Sequence, residues 1–204
     1  MPADRFKPLP LPAGATRRRL EVFSPKLGRR LSLSSYERWK CWLMIEANPM
    51  ITSFCERPTR VGGAASAIVD FWVELRGGIG GEFWLFDGSE SATPVDDFST
   101  VLQGLRVRVL SPALLASLEV PLSNWAQILP YLVSYRNDRD PLLEQSLVVE
   151  LRSWTSLGEL LHRFHDQDGD AVRAGLFWLL ASGRVESPDL AAAALSRATH
   201  FRRR

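Results

Sequence analysis

Four carboxylates and one ammonium in the first half of the chain have the types and spacing for metal-dependent phosphodiester chemistry. Glu37 lies in a stretch of helical apolar spacing, and Asp70 opens the first strand of a glycine-turned hairpin. Glu74 shares Asp70's strand face by alternation, and Glu82 begins the partner strand. Lys40 follows three residues after Glu37, on roughly the same helix face. Such acids can hold one or two Mg2+ or Mn2+ ions through oxygen, while an ammonium orients or activates the attacking water. A site of this kind wants a carboxylate from an early helix, an aspartate on a hairpin strand, and an acid or amide followed two residues later by lysine on the partner strand. Glu37 and Asp70 stand in the first two places. The partner strand reads EFWLFDG and carries no acid or amide followed two residues later by lysine. Lys40, Glu74 and Glu82 are the groups that could replace the missing ones.

Arginine supplies the second set of candidates. Charge is nearly balanced, with 25 Lys+Arg against 23 Asp+Glu and a net +2, so bulk charge demands no polyanionic partner. Its distribution is uneven, however, and clusters fall at Arg17, Arg18 and Arg19, at Arg29 and Arg30 with Lys26 close by, and at Arg202, Arg203 and Arg204. A guanidinium fork matches phosphate oxygens, so the first two clusters are candidate DNA contacts. As the plain alternative, each is a solvated loop or tail.

The elements that must position these groups can be traced along the chain. Residues 1–15, with four prolines and no periodicity, read as a flexible arm outside the core. Leu20 to Leu33 reads as a hairpin around SPKLGR. Ser34 or Ser35 caps a helix through Tyr36 to Ala47, which Asn48 and Pro49 stop. Met50 to Pro58 reads as a short strand, and Ala67 to Leu75 with Glu82 to Phe86 as a hairpin around RGGIGG. A polar, flexible stretch over 87–97 precedes a strand at Leu105 to Leu110 and a helix at Leu122 to Tyr135. RNDRDP, at 136–141, reads as a domain boundary. Three helices follow: Leu142 to Leu151, Leu157 to Phe164 behind a Ser156/Glu159 capping box, and Asp170 to Ala181 closed by Gly183. The last two, with the turn after them, resemble a winged-helix module.

Other residues of interest take bland roles. Cys41 and Cys55 read as reduced, mostly buried thiols, because no zinc-ligand spacing accompanies them. Trp39, Trp42, Trp72 and Trp84 lie in apolar runs and read as core. His162 and His165 lack a third metal ligand nearby, and RGGIGG lacks phosphate-loop spacing. No stretch has the length of a bilayer span and the start lacks a signal-peptide run, so the expectation is a cytoplasmic, nucleoid-associated protein with no membrane partner.

The stretch RRRLEVFSPKLGRRLSLSSYERWKCWLMIEANPMITSFCERP, followed by VDFWVEL, resembles the N-terminal endonuclease domain of TnsA, a subunit of heteromeric transposases. LRVRVLSPALL with LSNWAQILPYL is similar to that family's closing strand and following helix, and the resemblance runs from about Arg17 onward. It implies a restriction-endonuclease-like α/β domain over 16–138, a mixed sheet flanked by helices, and a helical winged-helix-like domain over 139–204. It also implies Glu37 and Asp70 as catalytic and metal-binding acids, Mg2+ or Mn2+ as cofactor, double-stranded DNA at transposon ends as substrate, and TnsB-like transposase and TnsC-like ATPase subunits as partners. Two functions follow, an endonuclease subunit cutting 5′ strands and a non-catalytic member of the same assembly that holds DNA ends; outside transposition, a general DNA-binding regulator using the C-terminal helices is the third.

Overall fold

A computed structural model of the chain describes residues 6–11, 19–61, 67–77, 80–88, 100–102 and 105–204. It is a mixed α/β protein of two compact units, Met1–Ser117 and Leu118–Arg204.

The first unit begins with strands β1 (Leu20–Ser24) and β2 (Arg29–Leu33), paired antiparallel around a turn in which Gly28 takes a φ of 64°. Helix α1 (Tyr36–Ala47) follows, its first turn capped by the Ser35 hydroxyl accepting from the Arg38 amide. Cys41, Trp42 and Ile45 form its buried stripe, and burial pushes the Cys41 thiol up to about 12. Next come β3 (Ile51–Glu56), the short pair β4 (Arg60–Val61) and β5 (Ala67–Ile68), β6 (Phe71–Leu75), β7 (Gly81–Phe86), β8 (Thr100–Leu102), β9 (Leu105–Leu110) and α2 (Pro112–Ser117). The main sheet runs β3-β6-β7-β9-β8, antiparallel except where β9 lies parallel to β7. Helix α1 packs against β3, β7 and the first hairpin.

The described part of the N-terminal arm joins this core, contrary to expectation. Phe6 sets its ring 5.3 Å from Trp72 and 5.7 Å from Phe83, and the Leu9 amide donates to the Arg57 carbonyl at 2.9 Å. A proline-rich segment holds no periodicity, but one aromatic on it is enough to anchor to an apolar sheet face. The stretch 87–97 lies outside the described residues from position 89 onward, as do Gly78 and Ile79 of the hairpin turn.

In the second unit, α3 (Glu119–Ser134), α4 (Pro141–Glu150), β10 (Thr155–Ser156), α5 (Leu157–Arg163), α6 (Gly169–Ala181), β11 (Val185–Glu186), α7 (Asp189–Ala192) and β12 (His200–Arg203) succeed one another. The three short strands form an antiparallel sheet in the order β10-β12-β11. The Ser156/Glu159 capping box is present, and Gly183 ends α6 with a φ of 76°. RNDRDP proves to be a structured helix–helix turn: Asp140 caps α4, and Arg139 holds Glu144 through two bonds of 2.8 and 2.9 Å. The units divide one helix earlier, because α3 lays Leu122, Trp125, Ile128 and Leu132 into the core it shares with α6 and α7. Among the described residues no helix is long and apolar enough to cross a membrane.

Gly81 shows why one hairpin glycine is needed. Gly77 and Gly80 serve the turn with φ of 88° and 99°, whereas a Cβ on Gly81 would lie 2.5 Å from Trp72 Cζ2. Trp72 is packed among Val69, Phe83 and Val107 and has nowhere to go. We expect Gly81→Ala to destabilise the protein by about 1–3 kcal/mol through this overpacking, read as a lower urea midpoint, with Gly80→Ala acting through backbone strain and leaving the Trp72 packing intact.

Candidate functional site

Asp70 is the centre of the candidate site. It sits just before β6 with 5% of its surface exposed, and both carboxylate oxygens are engaged. Oδ1 accepts from Arg38 Nε at 2.5 Å and Oδ2 accepts from the Phe86 amide at 2.6 Å. The second bond has a plain origin. The β6–β7 ladder ends where Phe71 faces Trp84, so the Phe86 amide has no strand partner on that side, and the Asp70 side chain takes the place of a backbone carbonyl. Burial pushes the Asp70 carboxyl above its ordinary range, against the opposing pull of Arg38 and of the Phe86 amide.

Glu37 is turned elsewhere. Helical geometry separates neighbours by about 100°, and Arg38, not Glu37, continues the stripe of Cys41, Trp42 and Ile45 toward the sheet. Glu37 is exposed, and a hydrogen bond from the Ser35 hydroxyl is the main influence holding its carboxyl below the ordinary range. Lys40 places its ammonium 5.1 Å from the Tyr36 ring centre, and Tyr36 in turn stacks on Trp39 at 5.0 Å. Thus the helix directs a guanidinium at Asp70 and leaves the predicted carboxylate and lysine on its outer side.

The two substitute acids also have their own places. Glu82 accepts from Trp84 Nε1 at 2.6 Å and pairs with Arg108 at 3.4 Å. Glu74 is half-buried on the strand face of Trp72, where Val69 packs as well, so the alternation that would align it with Asp70 breaks at the start of β6. Phe86 contributes its amide, and Gly88 is exposed beyond the strand. Among the described residues no group of three or more His, Cys, Asp or Glu could hold a metal ion. With one oxygen of Asp70 on a guanidinium and the other on an amide, the residues as arranged do not fit a divalent cation.

Lys26 and Arg29, expected as phosphate contacts, have internal partners. Lys26 Nζ donates to the carbonyls of Asn48 and Ile51 at 2.8 and 2.7 Å, closing the end of α1; burial pushes its pKa down to about 8, with Glu46 acting in the opposite sense. Arg29 grips the buried Glu56 in a fork of 2.9 and 2.6 Å. Arg19 pairs with Glu21, Arg30 is exposed, and Arg17 and Arg18 lie outside the described residues.

Three residues central to this region were not among the expected ones: Arg38, Glu56 and Arg57. Arg57 ties three segments, donating to Leu9 O at 2.8 Å and to Ser32 O at 2.7 Å while its amide donates to Asp70 O at 2.8 Å, and it takes a φ of 49° in doing so. Helical phase offered a signal for Arg38, which is three, four and seven residues from Cys41, Trp42 and Ile45. Arg57 and Glu56 gave none beyond being charges at the end of a strand.

Arg38→Ala removes the partner of a buried carboxylate, at an expected cost of about 1–3 kcal/mol; a value at the upper end of the buried-pair range is not expected because Arg38 is one-third exposed. The sign with pH follows from Asp70's charge. Without Arg38 its pKa rises further, so the wild-type advantage is full at neutral pH and disappears as pH falls and Asp70 takes a proton in both proteins. Denaturant titrations at neutral and acid pH test this, and an equal penalty at both would sink it. Comparison with known proteins adds no identity to the site: no family model matches the chain, and no curated protein matches it significantly.

Proposed function

We propose that this chain is a TnsA-like subunit of a DNA transposition complex, acting at transposon ends beside a TnsB-like transposase and a TnsC-like ATPase, and that it holds DNA and partners without cutting a strand. The observation that carries the non-cutting part is the saturation of Asp70 by the Arg38 guanidinium and the Phe86 amide. A guanidinium neutralises the carboxylate as a metal would, but it has no open coordination position and lowers no water pKa. In this reading Mg2+ or Mn2+ has no catalytic post here.

The fold supports the family part. An early helix, an antiparallel hairpin and a later strand parallel to the second hairpin strand are the order that the restriction-endonuclease-like plan asks for. The second unit supports the winged-helix part through its helix–strand–helix–helix–strand–helix–strand order from α4 to β12, with β12 in the middle of the sheet. A regulator that reads DNA with α6 finds little support, since Asp170 is the one exposed residue on that helix and Arg173 is bonded to Gly169 and Asp170.

The deciding experiment is a strand-cleavage assay on transposon-end DNA with Mg2+ or Mn2+ and the partner transposase, comparing wild type with Glu37→Ala, alongside DNA binding over a range of salt. We expect no 5′-strand cleavage by either protein, and wild-type binding that falls steeply with salt and weakens on replacing Arg17, Arg18 and Arg30 by alanine. Cleavage by wild type that is lost in Glu37→Ala would establish an endonuclease instead, and absence of DNA binding would remove the transposition reading.

A further inference from the structure

The second unit carries its charges unevenly. Asp138 and Asp140 lie in the α3–α4 turn and Asp166, Asp168 and Asp170 around the start of α6, while arginines gather at one end of the three-stranded sheet. Backbone pairing brings them together: the Arg203 amide donates to the Leu151 carbonyl at 2.9 Å, beside Arg152, and the Arg204 amide to the Arg184 carbonyl at 3.0 Å. The fully buried Phe201 anchors β12, so the strand is a fixed platform. Arg152, Arg184 and Arg203 are exposed, and their side chains are hydrogen-bonded to no described residue. Arg202 lies flat over Trp154, 4.4 Å from its ring centre, and Trp154 is 44% exposed.

Among the described residues one acid, Glu186, is paired with members of this group. Glu186 accepts from Arg202 at 2.6 Å and pairs with Arg204 at 3.3 Å, so a single carboxylate is set against five guanidinium groups. Gathering this many exposed cations on one sheet end against one carboxylate produces a positive potential that attracts a polyanion. Their position matters as well. They lie at the end of β11 and β12 away from the 187–199 connection, and α6 offers a phosphate backbone only Asp170.

We infer that the sheet end built by Arg152, Arg184, Arg202, Arg203 and Arg204 around Trp154 is a DNA-binding surface that grips the phosphate backbone. The inference rests on the proposed function only for DNA as the ligand; it needs neither transposition nor any state of the Asp70 site. Guanidinium groups gathered at one end of the sheet suit a row of phosphates, and nothing in the patch reads base edges, so binding here is independent of sequence.

The test uses the full chain and a labelled random-sequence duplex, with anisotropy measured over a range of KCl. For Arg152→Gln/Arg184→Gln/Arg203→Gln, the slope of log affinity against log salt falls by between two and three, at about 0.9 for each lost phosphate contact, and affinity at low salt drops roughly 100-fold. Glu186→Gln, which frees Arg202 and Arg204, raises affinity severalfold; this gain cannot come from misfolding. An unchanged slope in the triple variant with wild type still binding overturns this surface and leaves the proposed function standing. No duplex binding by wild type overturns both. Loss in Arg30→Ala alone assigns DNA to the first hairpin and overturns the sheet surface. Displacement of the duplex by poly-glutamate as readily as by unlabelled duplex of equal charge identifies an acidic protein segment as the partner and overturns DNA.

Discussion

A carboxylate removed from water must be neutralised, paired or fully hydrogen-bonded, and the first unit is organised around satisfying that demand at Asp70. The demand fixes the phase of α1, because Arg38 must face the sheet, and Glu37 is then carried to the outside. It also closes the open end of the β6–β7 ladder, where the second oxygen accepts from the amide of Phe86. The same logic recurs at the other buried acids. Glu56 is held by the Arg29 fork, Glu144 by the Arg139 fork, and Glu46 by Ser24, by Trp42 Nε1 at 3.0 Å and by the Lys26 amide. Each buried acid recruits cations or donors that a reading of exposed charge would count as available for DNA. Charge clusters in the sequence therefore overstate the surface charge, and in this unit the discount falls on Lys26, Arg29 and Arg38.

How much of this was legible depends on the range of the interaction concerned. Local rules read well: the Ser35 cap, the stop at Asn48 and Pro49, the Ser156/Glu159 box and both hairpins rest on hydrogen bonds and turns within a few residues. Elements near Asp70 were placed, but the roles of the residues on them were not. Motif spacing selected Glu37, whereas the apolar stripe selects its neighbour Arg38, and one residue on a helix is the difference between solvent and core. Strand alternation grouped Asp70 with Glu74, but Asp70 precedes the regular strand and its carboxylate turns to α1. The Phe6 anchor, the Arg57 ties and the contact of Gly81 with Trp72 join positions remote in sequence, and no periodicity reports them. The unit boundary was missed for the same reason: a charged, proline-bearing turn looks like a linker until Arg139 is seen over Trp178 and bonded to Glu144.

In the second unit, the burial of α6 decides which surface is left for ligands. A helix whose Val172, Ala174, Leu176, Phe177 and Leu179 are all buried is committed to the core on several sides, and its apolar composition cannot also supply a polar reading face. Asn124, itself fully buried, then fixes the segment after β11 by donating to the carbonyls of Leu190 and Ala193 and accepting from Leu195. With the helix and that segment both engaged internally, the sheet end is left with a group of outward arginines, Arg152, Arg184, Arg202, Arg203 and Arg204. Two of the acids, Asp140 and Asp168, are engaged in capping α4 and α6.

That division bears on why an arginine can stand where a metal-dependent site would hold an ion. A divalent cation offers exchangeable positions to water and phosphate, whereas the Arg38 guanidinium balances the charge of the buried carboxylate without offering any. Binding makes no such demand. Phosphate contacts need cations at the surface, free to meet an anion, and are indifferent to whether Asp70 holds a metal or a guanidinium. Under the proposed function, DNA contact therefore does not depend on a metal at Asp70, whose carboxylate is closed in an internal ion pair. The buried pair holds α1 to the sheet, and under the proposed function the exposed arginines are the groups that meet a polyanion, so the two sets of charges do separate work.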